Sequence, residues 1–311
     1  AFPLGVFTVV SGVSGSGKTT LIKKILFPAI EKHLTGTSSE KVGKHRSLTG
    51  DLDLIQHVEM IDQNPIGKSS RSNPVTYIKA WDSVRDLFAS QPLSKIRGYQ
   101  PKHFSFNVDG GRCDACKGEG EQLIEMQFLA DVHLKCESCN GKRFKEDVLE
   151  VQYKGKNIHD ILEMSVDEAI EFFQDQKEAS SKLKPLSEVG LGYVKLGQSS
   201  DTLSGGEAQR VKLASFLGKG KGHQDKILFI FDEPTTGLHF HDINKLLMSF
   251  NALIEQGHSI LVIEHNTDVI KSADWLIELG PEAGDEGGNI VYEGIPSGIK
   301  KNKQSRTAPF L

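Results

Sequence analysis

Apolar residues fall along this chain in short β-branched runs separated by stretches at helical spacing. Residues 6–10 form one such run, ending in Ser11-Gly12, and residues 18–27 then place apolar positions on one helical face before Pro28. The pattern predicts a strand, a glycine loop and a helix in that order. Residues 33–50 are polar with little periodicity and read as a surface connection, and residues 58–62 as a short strand running into Gln63-Asn64-Pro65. From about residue 72 to 200 the alternation of strands and helices is lost, apart from a helix-like stretch at 165–179. It returns with continuous apolar runs at 226–231 and 259–263, separated by a helical pattern at 242–256. Unbroken apolar runs of that length are typical of parallel strands buried on both faces.

The expected fold is therefore an α/β lobe, with residues 1–71 as its first part and 201–311 as its second, closing around an inserted subdomain at 72–200. Lys300, Lys301, Lys303 and Arg306 near the end read as a solvated tail. The first residues, Ala1-Phe2-Pro3-Leu4, run straight into a strand without a methionine, as expected of a module cut from a longer protein.

Composition narrows the classes. With 38% hydrophobic and 25% charged residues the chain is globular, and no apolar run approaches the roughly 20 residues of a membrane-spanning helix. A cytoplasmic location is expected, with no membrane partner. A net charge of −4 excludes a surface that attracts nucleic acid everywhere, so any DNA contact has to come from a local patch.

The first candidate chemistry lies in the glycine loop. Gly12-Val13-Ser14-Gly15-Ser16-Gly17-Lys18-Thr19 fits G-x-x-x-x-G-K-[ST] and is followed by Thr20. Backbone amides from Gly12, Ser14, Gly15, Ser16 and Gly17 would wrap phosphates, Lys18 would reach the β and γ phosphates, and Thr19 would hold magnesium, with Thr20 beside it. The second half comes from the run at 227–231, which delivers Asp232 to the magnesium shell and Glu233, one residue on, to the attacking water. ATP and Mg2+ are thus the expected cofactors. Leu203-Ser204-Gly205-Gly206-Glu207 has the spacing of a capping box opening a helix through Leu217, with glycines that leave backbone amides open to a phosphate.

All four cysteines stand in two pairs. Cys113 and Cys116 are separated by two residues, as are Cys136 and Cys139, with nineteen residues between the pairs. This is the spacing of a tetrahedral zinc site, and four thiolates leave no open position, so a structural Zn2+ is expected. Between the pairs, Gly118 and Gly120 flank a turn before residues 123–128, read as a glycine-rich hairpin.

The segment at 203–210 matches the signature sequence of ABC-class ATPases, and the match extends further. Asp62-Gln63-Asn64-Pro65-Ile66-Gly67, Arg71-Ser72-Asn73-Pro74, Phe104-Ser105-Phe106-Asn107, Gly110-Gly111-Arg112-Cys113, Gly141-Lys142-Arg143 and Asp232 to Leu238 resemble the second ATPase half of the UvrA family of excinuclease components. Coverage is essentially the whole chain. Lys68-Ser69-Ser70 and Ser199-Ser200-Asp201 depart from the family's usual residues, in loops. The resemblance implies an ABC-type P-loop ATPase lobe with an inserted signature and zinc-binding subdomain. It assigns Gln63 to sensing magnesium and the attacking water, and His265 to the γ-phosphate switch. It also implies that Ser204, Gly205 and Gly206 cover ATP held by a second module packed head to tail, either the N-terminal half of the same protein or another copy.

The partners implied are duplex DNA, preferentially damaged, and a helicase-loading repair protein reached through the family's other half. Lys68, Arg71, Arg112, Lys117, Lys142 and Arg143 are the basic residues to suspect for DNA, although residues 68–154 hold fourteen Lys and Arg against twelve Asp and Glu. ATP-gated damage recognition in excision repair is the expected function. A UvrA-like paralogue sequestering drug-modified DNA shares every motif. A transporter ATPase shares the nucleotide motifs without the cysteine insertion, and chromosome-organising ATPases separate them by a coiled coil that this chain lacks.

Overall fold

The computed structural model describes residues 1–67, 71–124, 132–218 and 225–311. The chain folds as two compact units, Ala1–Gln63 with Lys219–Leu311, and Asn64–Gly218.

The first unit is built on a six-stranded sheet in the order Asn289–Gly294, Trp275–Gly280, Phe7–Gly12, Ser259–Ile263, Ile227–Asp232, His57–Ile61. All neighbours run parallel except the Asn289–Gly294 edge strand, which returns antiparallel. The central strands are buried along their whole length, as their unbroken apolar runs require. On one face Val10, Leu228, Ile230, Leu261 and Ile263 pack against Ile22, Leu26 and Ile30. On the other, Phe7 and Phe231 meet Phe250 from the helix Phe240–Glu255, with ring centroids 5.4 and 4.7 Å apart.

Contrary to the sequence pattern, Pro28 does not end the helix after the glycine loop. Thr20–Leu26 is wound as a π-helix and passes into the α-helix Phe27–Thr35, where Pro28 lacks an N–H and the Lys24 carbonyl one turn back accepts Gly43 N at 2.7 Å instead. The stop comes at Gly36, in the left-handed region with its N–H on Lys32 O. The tail is also more than a solvated end. Its lysines are exposed, but Ile299 is fully buried, and the buried Glu278 carboxylate accepts the backbone N–H groups of Arg306 and Thr307 at 3.1 and 2.9 Å.

The second unit is wider than the 72–200 insertion read from the sequence. It includes the helix Gly205–Leu217, which packs on Lys177–Glu188 and on the Pro74–Tyr77 turn. The stretch at 165–179 is two helices, Val166–Phe172 and Lys177–Glu188, interrupted at Phe173. The unit owns an aromatic core. Trp81, Phe88, Phe104, Phe106, Phe144 and Phe173 are fully buried, and Trp81 Nε1 donates to Phe104 O at 3.2 Å. The sequence hid this core because its aromatics lie on short helices and loops with no long period. A two-stranded hairpin, Glu121–Ile124 with Val132–Lys135, joins the two cysteine pairs. The remainder of the glycine-rich hairpin, residues 125–131, lies outside the described residues.

Candidate functional site

In the first unit the strand Phe7–Gly12 delivers the chain into the glycine loop. Gly12 has φ 135°, and a Cβ there would meet Leu279 O at 2.0 Å, so only glycine passes this close to the neighbouring strand. Ser14, Gly15, Thr19 and Thr20 face solvent, whereas Ser16 and Lys18 are buried. Lys18 Nζ donates to Gly12 O and Val13 O, both at 2.9 Å, curling across the loop it would serve. Burial pushes its pKa below the usual lysine value, against the pull of Glu233 and Asp232. The Ser16 hydroxyl is buried with no hydrogen-bond partner among the described residues. A donor without an acceptor beside an ammonium is the donor chemistry that phosphate satisfies. A loop that sequence reasoning missed props this turn from behind, with Gly288 N on Ser16 O at 3.0 Å and Gly284 N on Gly15 O at 3.3 Å.

Opposite, the strand Ile227–Asp232 ends on Asp232, whose Oδ2 lies 2.5 Å from Lys23 Nζ. Glu233 turns out of the sheet at φ 47°, a left-handed conformation unusual for a non-glycine residue, with its N–H on Ile263 O at 2.9 Å. His265 Nε2 stands 3.7 Å from Glu233 Oε1, and Gln63 Nε2 donates to Glu233 O at 3.3 Å. The three residues proposed from motif and resemblance thus converge, from three separate strand ends. Burial, helped by the Lys18 charge, pushes His265 below its ordinary pKa despite Glu233 and Glu264.

Glu264 was not singled out in the sequence, yet it sets this geometry. It is 2% exposed. Oε1 accepts Thr235 N at 2.9 Å and the Thr235 hydroxyl, and Oε2 accepts His265 N and Asn266 N at 2.7 and 3.0 Å. One carboxylate therefore ties the turn after Glu233 to the turn carrying His265. Replacing it by alanine leaves three backbone N–H groups without that acceptor. Part-buried orphans of this kind suggest a loss of about 2–4 kcal/mol in urea unfolding of the chain, with Glu264→Gln intermediate. A loss below about half a kcal/mol for the alanine variant would show that water replaces the carboxylate.

In the second unit Ser204 is the N-cap of Gly205–Leu217, and the capping box is complete: Ser204 Oγ accepts Glu207 N at 3.3 Å, and Glu207 Oε2 accepts Ser204 N at 2.8 Å. Such caps are worth about 0.5–2 kcal/mol. The second Glu207 oxygen accepts the Tyr193 hydroxyl, another partner invisible from local spacing. Burial first, and then this carboxylate, raise the Tyr193 pKa to about 12.

The four cysteines, carried on two loops of one unit, come together. Their Sγ atoms all lie within 4.8 Å of one another, with Cys113 to Cys136 at 4.0 Å and Cys116 to Cys139 at 3.6 Å. Ligands about 2.3 Å from a tetrahedral zinc stand about 3.8 Å apart, so the donor set fits. Gly120 N donates to Cys116 Sγ at 3.3 Å. Burial pushes the Cys139 thiol up to about 12, whereas at Cys136 hydrogen bonds led by the Cys139 backbone outweigh burial and hold it below the usual value. Gly118, at φ 89°, would drive a Cβ to 2.0 Å from Phe106 O, so this knuckle also demands glycine.

The basic candidates divide. Lys117 and Lys142 are exposed on the knuckles. Arg112 is turned inward, bound to Asp109 at 2.7 Å and to the carbonyls of Asn107 and Lys117. Arg143 sits 5.8 Å over the Phe106 ring, and Arg71 lies 3.5 Å from Glu119. Lys68 lies outside the described residues.

No protein-family model matches the chain. UvrABC system protein A from Pasteurella multocida is 52% identical over 311 residues, all of this chain and 33% of that protein. The chain is homologous to part of UvrA. The Aquifex aeolicus UvrABC system protein A is likewise 52% identical over 309 residues, covering 99% of the chain and 33% of that protein. The crystal structure of UvrA2 from Deinococcus radiodurans superposes with a TM-score of 0.88 at 45% identity, covering 99% of the chain and 37% of that structure's chain. The fold is thus the expected one, a parallel α/β lobe with a second, cysteine-bearing subdomain. The chain spans about one third of the length of these UvrA relatives.

Proposed function

We propose that this chain is an ATP-hydrolysing module of cytoplasmic nucleotide excision repair, which couples nucleotide turnover to gripping and releasing damaged duplex DNA. The observation that carries the ATPase reading is the convergence of Glu233, His265 and Gln63 at the strand ends of the unit that holds Lys18 in its phosphate loop. The DNA-repair reading rests on 52% identity, over the whole of this chain, to one third of a UvrA relative. Among the described residues no helix is long and apolar enough to cross a membrane, which fits this reading.

Lys18 and the loop amides of Gly12, Ser14, Gly15, Ser16 and Gly17 bind the phosphates. Thr19 and Asp232 would hold Mg2+, with Thr20 beside Thr19, and the ion would supply charge neutralisation for phosphoryl transfer. Glu233 accepts a proton from the attacking water, Gln63 orients that water, and His265 contacts the γ-phosphate. Ser204, Gly205 and Gly206 complete the site of a second ABC module packed head to tail, which for this chain is either the other half of a longer protein or a second copy. Cys113, Cys116, Cys136 and Cys139 hold a structural Zn2+. Lys117 and Lys142, exposed on the knuckles, approach DNA phosphates, joined by Lys68, and by Arg71, Arg112 and Arg143 where the internal contacts of these three arginines give way. A helicase-loading repair protein belongs to the longer assembly. Lesion recognition by DNA deformability, rather than base identity, suits a protein that has to accept many chemically different adducts.

The test is fluorescence anisotropy of a duplex with and without one bulky adduct, titrated with the zinc-loaded chain and ATP, then with Lys18→Ala. Tighter binding to the adduct duplex, sensitive to nucleotide and lost in Lys18→Ala, is expected. Equal affinity for both duplexes would remove damage recognition from this module.

A further inference from the structure

The carboxylate expected to serve magnesium already has a cation on it. Lys23 Nζ lies 2.5 Å from Asp232 Oδ2, with the two side chains 32% and 23% exposed, so the pair is neither buried nor free in solvent. The other nearby ammonium, Lys18, is turned onto the carbonyls of Gly12 and Val13. Lys23 follows Thr19 by four residues, and residues so spaced share one helix face. The π-helix Thr20–Leu26 thus begins beside one expected magnesium ligand and carries its lysine onto the other. A hydroxyl and a carboxylate are hard oxygen donors of the kind a divalent ion takes, and the ammonium resting on the carboxylate stands in for the positive charge of that ion.

We propose that Lys23 is a resident competitor for Asp232. Its ammonium holds the carboxylate while nucleotide is absent and withdraws when magnesium arrives with ATP, so Lys23 sets the magnesium demand of the site. The inference rests on reading Asp232 as the magnesium carboxylate. It is a positioning role, because Lys23 acts through Asp232. The ion pair holds Asp232 Oδ2 on Lys23 at the end of the strand Ile227–Asp232. The disadvantage is that every magnesium ion has to displace a bound ammonium.

The test uses the whole chain and a fluorescent ATP analogue, titrated with magnesium at fixed nucleotide and, separately, with nucleotide in EDTA. Lys23→Met keeps side-chain length and removes the charge, and it is expected to lower the magnesium midpoint about two- to fivefold, the range of a part-exposed ion pair. Affinity in EDTA should stay within about twofold, and Lys23→Arg should stay near the parent. In an Asp232→Asn background the Lys23→Met shift should vanish, since the two act as one pair. An unchanged midpoint in Lys23→Met overturns the proposal. So does a loss of EDTA affinity in that variant, which would make Lys23 a phosphate contact. Failure of the parent chain to bind the analogue at all would instead sink the phosphate-loop reading, and this one with it.

Discussion

Stripping the metal from Cys113, Cys116, Cys136 and Cys139 is expected to open the knuckle region while leaving the helical core of the second unit folded. Structural zinc binding is worth about 10–16 kcal/mol in small domains at pH 7, larger than any other local interaction in this unit. Without it, burial pushes the Cys116 thiol up and the Cys139 thiol up to about 12, and the sulfurs lose the ion that holds them together. The bonds that depend on the cluster are specific: Cys113 N to Arg143 O, Cys136 N to Gly120 O, Lys142 N to Cys139 O and Lys145 N to Gly111 O, all at 2.8 to 2.9 Å. Hydrogen exchange after chelation should show protection lost at these amides and kept around Trp81, Phe88 and Leu183, which are buried on the helices Ala80–Ala89 and Lys177–Glu188, outside the knuckles. Binding releases protons from the thiols, so the midpoint of chelation should move toward easier removal as pH falls. Cys139→Ser should reproduce the chelated state. If chelation releases about one zinc per chain and every one of those amides stays protected, the metal is not what holds the knuckles.

Glu233→Gln is expected to slow single-turnover ATP hydrolysis about 10²–10⁴-fold, the range for loss of a general base, while ATP affinity changes only a few-fold. The substitution is nearly isosteric, and glutamine bears the φ of 47° no worse than glutamate, so stability should hold. The carboxylate oxygen that faces His265 at 3.7 Å becomes an amide and can no longer take a proton. Hydrolysis should be followed with radiolabelled ATP in the assembly that pairs the signature segment with a partner site. Turnover within about twofold of the parent would remove Glu233 from the chemistry. The same variant should lengthen the residence of the protein on DNA with ATP present, because release is then stalled.

Much of this was legible in local spacing. The phosphate loop, the apolar run ending in Asp232-Glu233, the capping box at Ser204 and the two cysteine pairs each depend on residues within a few positions of one another, where backbone geometry fixes what a spacing can do. The four thiols do converge, and Ser204 does cap its helix. The apolar pattern also set the central strands, because parallel strands buried on both faces have to be continuously apolar. What it left undecided are the links between segments far apart in sequence. Glu264 reads as one more strand-end acid until the fold puts Thr235 beside it, 29 residues away. Nothing in local spacing singles out Lys23 until Asp232, far away in sequence, arrives at 2.5 Å. Pro28 reads as a helix stop until Gly43 N takes the Lys24 carbonyl, and Arg112 reads as a cation for DNA until Asp109 and two carbonyls enclose it. Local propensity and period determined which elements form. Only the tertiary structure decided which charges meet, because an ion pair or a shared carboxylate depends on distance in space, which the order of residues does not encode one pair at a time.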